Sequence, residues 1–211
     1  PIQITWLGYC NSTGLKNMDY LITDQNLIKK DEEDLYSEKI IYMPNIWNSM
    51  SEPSNLPEVS VAPSDKNKIF TFGSFNNFQK ISDKTISTWS KILNNTSSRI
   101  ILKNSIMNND EINQNLIEKF LVNNVNKDKI QIINYQKESS DHLSLYDQID
   151  LALDTFPYNG VTTTFESVLM GVPVLTIKGF NFNSRCGESI NKNLKLENFI
   201  AEDYSDYYLK A

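Results

Sequence analysis

The sequence predicts an α/β fold: a parallel sheet with helices on both faces, preceded by an incomplete second sheet. Three observations predict it. From Lys68 onward, short apolar runs alternate with segments whose apolar residues recur every three or four positions, and such alternation builds a doubly wound parallel sheet. The chain has 211 residues, 40% hydrophobic and 22% charged, enough for one large domain or one domain plus part of another. Glycine is scarce, with seven in the chain, about half the usual share of roughly 7%. Such a chain keeps glycine where the backbone requires it.

The elements follow in order. Ile2 to Trp6 reads as a short strand, followed by Gly8 and a turn-rich stretch. Asp19 to Thr23 carries a second apolar run, and Ile40 to Met43 a third, with a charged helical turn at Asp31 to Glu38 between them. Too few helices lie here to cover a sheet. Pro44, Pro53, Pro57 and Pro63 punctuate a Ser/Asn-rich segment over 44–66 that reads as a linker. Ile69 to Phe72 is a strand ending at Gly73. Ser82 then caps a helix with Ile86, Trp89, Ile92 and Leu93 on one face. Arg99 to Lys103 is a strand. Ile112, Leu116, Ile117, Phe120 and Leu121 form a second helical stripe, and Ile130 to Ile133 a further strand. Asp141 to Asp147 is a short helix, Leu151 to Leu153 a strand, Thr162 to Met170 a helix, and Val172 to Ile177 a strand. The tail from Ser184 reads as mostly helical. Ligands of such sheets sit outside the carboxyl ends of the strands, which directs attention to loops 73–82, 134–141, 154–162 and 177–187.

Composition excludes several classes. The net charge of −6 argues against nucleic acid as partner. No window approaches 18 apolar residues, so no membrane span is expected. With no signal peptide the expected location is cytoplasmic. Cys10 and Cys186 have no CxxC spacing, and a single His, His142, leaves no transition-metal set, so no metal is expected. The chain begins Pro1-Ile2-Gln3, which reads as a cut inside a longer protein.

The segment Leu153-Asp154-Thr155-Phe156-Pro157-Tyr158-Asn159-Gly160-Val161-Thr162-Thr163-Thr164-Phe165-Glu166 runs strand, loop, Gly and hydroxyl-rich helix start. A helix N-terminus with such hydroxyls suits a phosphate. Yet Thr163-x-x-Glu166 is also a capping box, and local chemistry alone favours that reading. Lys80, in Phe72-Gly73-Ser74-Phe75-Asn76-Asn77-Phe78-Gln79-Lys80, could neutralise a phosphate leaving group or simply be solvated. His142 could serve a base edge or be an ordinary first-turn His. Asp154 could form a turn. Arg185 could meet an anion or pair with a carboxylate. Cys186 reads as a packed apolar residue.

These blocks stand in register with Trp6-Leu7-Gly8-Tyr9, Thr13-Gly14, Met18-Asp19-Tyr20 and Met170-Gly171-Val172-Pro173. Together they closely resemble the protein O-GlcNAc transferase and SPINDLY family of glycosyltransferases over nearly the whole chain. The resemblance implies a GT-B architecture of two Rossmann-like domains. Residues 1–62 would be the end of the first, acceptor-side catalytic domain with its linker, and 63–211 the nucleotide-sugar-binding domain. It implies inverting, metal-independent transfer to Ser or Thr hydroxyls of proteins, from UDP-GlcNAc first and GDP-fucose second, in a parent with upstream tetratricopeptide repeats. By motif, Lys80 is the lysine that meets the diphosphate and serves catalysis. Thr162 and Thr163 hold the phosphates, Glu166 the ribose, and His142 lies near the base. Asn77 stands where animal members have Gln and SPINDLY-type members have Asn. Val161 replaces a His, and Ser139 falls where animal enzymes have Lys. Both departures also fit a non-catalytic relative that keeps nucleotide-sugar binding.

Overall fold

The computed structural model describes residues 1–103 and 109–211. Two all-parallel sheets carry the fold. The smaller has three strands in sequence order: β1 (Ile4–Thr5), β2 (Tyr20–Thr23) and β3 (Lys39–Tyr42). The larger has six: β4 (Thr71–Ser74), β5 (Arg99–Lys103), β6 (Ile130–Ile133), β7 (Leu151–Leu153), β8 (Val174–Ile177) and β9 (Ile200–Ala201). Their order in space is β6-β5-β4-β7-β8-β9. The chain winds outward from β4 to β6, then returns to β7 and winds the other way. That reversal, between β4 and β7, opens a crevice at the carboxyl ends of the two strands, where ligands of such sheets bind.

Alternation along each strand divides the apolar residues between the faces. Ile100, Leu102, Leu151, Leu153, Leu175 and Ile177 join Trp89, Ile92, Phe120 and Tyr207 in one core, under α2 (Asp83–Asn95), α3 (Asp110–Val122) and α7 (Tyr204–Lys210). Ile101, Ala152 and Val174 face the opposite way. There they meet Leu143, Tyr146, Met170 and Val172, beside α4 (Ser139–Ser144) and α5 (Thr162–Leu169). A third core joins the two sheets. Cys10, Leu21, Leu27, Ile28 and Trp47 pack against Phe182, Cys186 and Ile190, the last two on α6 (Cys186–Asn193). Ser82 caps α2 as expected, accepting from the Thr85 N–H at 3.1 Å.

Three local expectations are corrected. The strand expected at Ile69 to Phe72 lies at Thr71–Ser74. A short helix at Pro63–Asn67 ends at Lys68 in the left-handed region, and the Ile69 N–H still bonds the Asn67 side chain at 2.9 Å, so the chain is turning there. Gly73 is consequently inside the strand; a Cβ there would lie 2.5 Å from Ile149. The proline-rich segment is not all linker, since Trp47 is buried in the third core and its N–H bonds Asp24. The helical tail also contains β9, two residues paired with β8 and too short for any alternation to betray. No helix among the described residues is long and apolar enough to cross a membrane.

Candidate functional site

A cavity of about 470 Å³ opens at the carboxyl ends of β4 and β7, walled by loops that follow strands of both sheets and by the start of α5. The loop after β4 contributes Asn76, Asn77 and Lys80, and the loop after β7 contributes Tyr158. The start of α5 contributes Val161, Thr162 and Thr163, and the first sheet's side contributes Leu7, Gly8, Cys10 and residues 48–50. Four of the predicted site residues, Asn77, Lys80, Thr162 and Thr163, thus share one space.

Lys80 is half-buried. Its Nζ donates to the Asn159 carbonyl at 2.8 Å and stands 4.5 Å from the centre of the Tyr158 ring. Burial pulls its ammonium below the ordinary lysine range, while the nearby Asp154 charge works the other way. A half-buried cation whose one hydrogen-bonding partner among the described residues is a carbonyl gains from an incoming anion.

Asp154, at the end of β7, organises the loop that faces Lys80. Its carboxylate accepts from the Thr155 N–H at 2.9 Å, the Gly160 N–H at 2.7 Å and the Thr176 hydroxyl at 2.8 Å. Gly160 has no room for a side chain: a Cβ would lie 2.4 Å from Thr163 Oγ1 and 2.6 Å from Asn76 Oδ1. Burial pushes the Asp154 carboxyl up to about 6 from an ordinary 3.8, against the hydrogen bonds that favour its charged form. The folded chain therefore holds this proton where the unfolded chain has lost it. Stability from this group is complete below about pH 4 and is lost as pH rises through about 6. Asp154→Asn keeps an oxygen for the two N–H donors, and should flatten this part of the profile in melting scans between about pH 4 and 7. An unaltered slope would assign the titration to another group.

The capping box expected at Thr163 and Glu166 does not form. The N-cap of α5 is Val161, with no side-chain cap. The Thr163 hydroxyl donates to Asn76 Oδ1 at 2.7 Å, and Glu166 is engaged elsewhere: His142 Nε2 donates to it at 2.9 Å and the Tyr146 hydroxyl at 3.2 Å. Tertiary partners outcompete the local cap. The first turn of α5 thereby keeps its positive end toward the cavity.

His142 and Glu166 pair with each other but do not line that cavity; Glu166 sits one turn along α5 from Thr162 and Thr163. His142 Nδ1 is buried and without a hydrogen-bond partner among the described residues. Lys103 closes this second cluster from the end of β5: it is buried, with the Glu166 charge as its counterweight. Sequence reasoning missed Lys103, Asn76 and Tyr146. The one available signal was a lysine ending the apolar run Ile100-Ile101-Leu102. Arg185 takes the structural alternative: Nη1 and Nη2 reach Glu32 at 2.5 and 2.7 Å, Nε the Gly179 carbonyl at 3.0 Å, and Nη1 also the Leu27 carbonyl at 3.1 Å. Cys186 is packed in the third core as expected, and Ser139 begins α4.

Comparison with known proteins adds three findings. The family model described as glycosyl transferase family 41 matches residues 1–51 and 62–211. The chain is 34% identical, over its whole length, to a protein of Solanum lycopersicum named "Probable UDP-N-acetylglucosamine--peptide N-acetylglucosaminyltransferase SPINDLY", and spans 23% of that relative's length. It is 27% identical over 188 residues to the corresponding enzyme named SEC from Arabidopsis thaliana, covering 84% of this chain and 19% of that one. Among solved structures, a mutant O-GlcNAc transferase of Thermobaculum terrenum superposes with a TM-score of 0.92 at 29% identity, covering 100% of this chain and 40% of that one.

Proposed function

Because the chain belongs to glycosyl transferase family 41, we propose that it is the donor-binding portion of an inverting protein O-glycosyltransferase. In this reading residues 63–211 bind the nucleotide sugar and 1–62 are the end of the acceptor-side domain. The observation that carries it is the convergence of the Lys80 ammonium, the Thr162 and Thr163 hydroxyls and the uncapped start of α5 on one cavity. An acceptor Ser or Thr hydroxyl attacks the anomeric carbon and gives up its proton to a general base or to solvent, the bond from that carbon to the diphosphate oxygen breaks, and the diphosphate departs toward Lys80 and α5. Positive charge from a lysine and a helix end, placed where the leaving group gains negative charge, stabilises that departure without a metal ion. Glu166 takes the ribose hydroxyls, and His142, bonded to it, lies near the base. The protein acceptor and upstream tetratricopeptide repeats belong to the same proposal, since the chain spans only 23% of its SPINDLY-named relative.

UDP-GlcNAc is the first donor, in keeping with the names of the relatives. GDP-fucose is the second, favoured by the resemblance at Asn77, which SPINDLY-type members share. Calorimetry with UDP and GDP tests both. UDP binding at least about tenfold tighter supports the first donor, and the reverse ratio the second. Failure of both nucleotides to bind would reject the site.

A further inference from the structure

Asn76 joins parts of the cavity wall that come from different elements. It follows β4 by two residues, is buried, and lines the cavity. Its amide is held at both ends: Oδ1 accepts from the Thr163 hydroxyl at 2.7 Å, and Nδ2 donates to Asp154 Oδ1 at 3.4 Å. Those two partners decide which way the amide faces, with its NH2 toward the carboxylate. The backbone of Gly160 lies against it, since a Cβ there would stand 2.6 Å from Oδ1 and 3.1 Å from Nδ2. One side chain thus touches the loop after β7 and the first turn of α5 from its place on the loop after β4. None of the roles proposed above belongs to it.

The segments it joins carry the positive groups of the site. The next residue, Asn77, accepts from the Gln79 N–H at 3.0 Å and opens the turn Phe78–Lys80 that presents Lys80. Thr163 is the second residue of α5, whose first bonds run from the Thr164 and Phe165 N–H groups to the Val161 carbonyl at 3.1 and 3.0 Å. The N–H groups of Thr162 and Thr163 precede those bonds and have no such partner among the described residues. A lysine and two N–H groups on separate elements act together on one diphosphate when their spacing is fixed in advance. Where it is not, part of the binding energy goes into ordering the loops. Left to its own sequence, Thr163 would cap the helix with Glu166; the Asn76 carbonyl claims its hydroxyl instead.

We infer that Asn76 is a positioning residue of the donor site: its amide, through the Thr163 hydroxyl, fixes the first turn of α5 against the Lys80 loop, so that both meet the same diphosphate. The inference rests on the donor reading above and gives Asn76 no contact with the reacting atoms. Its influence falls on the phosphates, because Lys80 and the start of α5 are the groups it sets in place. A nucleoside without phosphates does not sense it.

The test measures binding of UDP, GDP, uridine and guanosine to the full chain, by calorimetry for the diphosphates and ligand-observed NMR for the nucleosides. Asn76→Ala should weaken the tighter diphosphate roughly tenfold and leave its nucleoside within about twofold. Thr163→Val removes the other end of the bond. With it in place, adding Asn76→Ala should cost less than about twofold more, because the bond it breaks is already gone. Asn76→Ser, polar but too short to span both partners, carries the same expectation should Asn76→Ala fail to fold. Equal losses for diphosphate and nucleoside, or losses from the two substitutions that multiply, would make Asn76 a packing residue only and overturn the inference. Unchanged diphosphate affinity would do the same while leaving the donor reading intact. A wild-type chain that binds neither UDP nor GDP would reject the donor reading, and this inference with it.

Discussion

Lys80→Ala is expected to weaken UDP or GDP binding roughly 100-fold. A hydrogen bond to a charged partner contributes about 1.5–3 kcal/mol, and 2.8 kcal/mol corresponds to about a hundredfold. The structure favours the upper part of that range. Lys80 is half-buried, with a ring on one side and a single carbonyl as its present acceptor, so water screens a bound diphosphate poorly. In the intact enzyme the turnover loss should be larger than the binding loss, because negative charge on the leaving oxygen grows in the transition state. Lys80→Arg is expected to recover only part of either, since the guanidinium fork does not fit a space shaped for one ammonium between Asn159 and Tyr158. Calorimetry on the variant decides the binding claim. Unchanged nucleotide affinity would remove Lys80 from the site.

Arg185→Ala should cost about 3 kcal/mol of stability, the lower end of what stripping one partner from a buried ion pair costs, since Arg185 is buried and Glu32 only partly so. For a chain of this size that is a fall in melting temperature of roughly 10 °C. The buried guanidinium bridges four acceptor atoms on Glu32, Leu27 and Gly179, and so ties the first sheet's flank to the helix that opens at Cys186. Removal leaves the partly exposed Glu32 carboxylate, at present held below its usual range chiefly by the hydrogen bond from Arg185, with the Lys29 N–H as its remaining donor among the described residues. Arg185→Lys keeps the charge but offers one donor centre in place of the fork, and should restore less than half of the loss. A thermal shift within about 2 °C of wild type for the alanine variant would show that the pair holds nothing together.

The larger sheet was legible because its elements obey simple periods. The 3.6-residue stripe of Ile86, Trp89, Ile92 and Leu93 and the continuous apolar run Ile100-Ile101-Leu102 require no tertiary knowledge. Asn77, Lys80, Thr162 and Thr163 could be placed in one crevice because a doubly wound sheet brings the loops after its innermost strands together. Elsewhere, local reading failed where distant partners decide. Thr163 and Glu166 spell a cap, yet Asn76, His142 and Tyr146 claim them across 87, 24 and 20 positions of sequence. Arg185 had many carboxylates to choose from, and its partner lies 153 residues away. Trp47 sits among prolines and serines that read as linker, although the core it fills is closed by Phe182, Cys186 and Ile190, more than a hundred positions later. Lys103 hid at the end of an apolar strand, where its charge looked like a boundary.

That third core also sets the order in which the protein can mature on a ribosome. Leu21, Leu27, Ile28 and Trp47 leave the exit tunnel long before Phe182, Cys186 and Ile190. About 135 residues separate Trp47 from Phe182, which at typical synthesis rates is a delay of roughly ten seconds. During that interval a tryptophan and three aliphatic side chains have no lasting cover, beside a parallel three-stranded sheet whose pairings are themselves non-local. The early segment therefore waits for its partners of the third core, and the helix that opens at Cys186 is the piece whose arrival completes it.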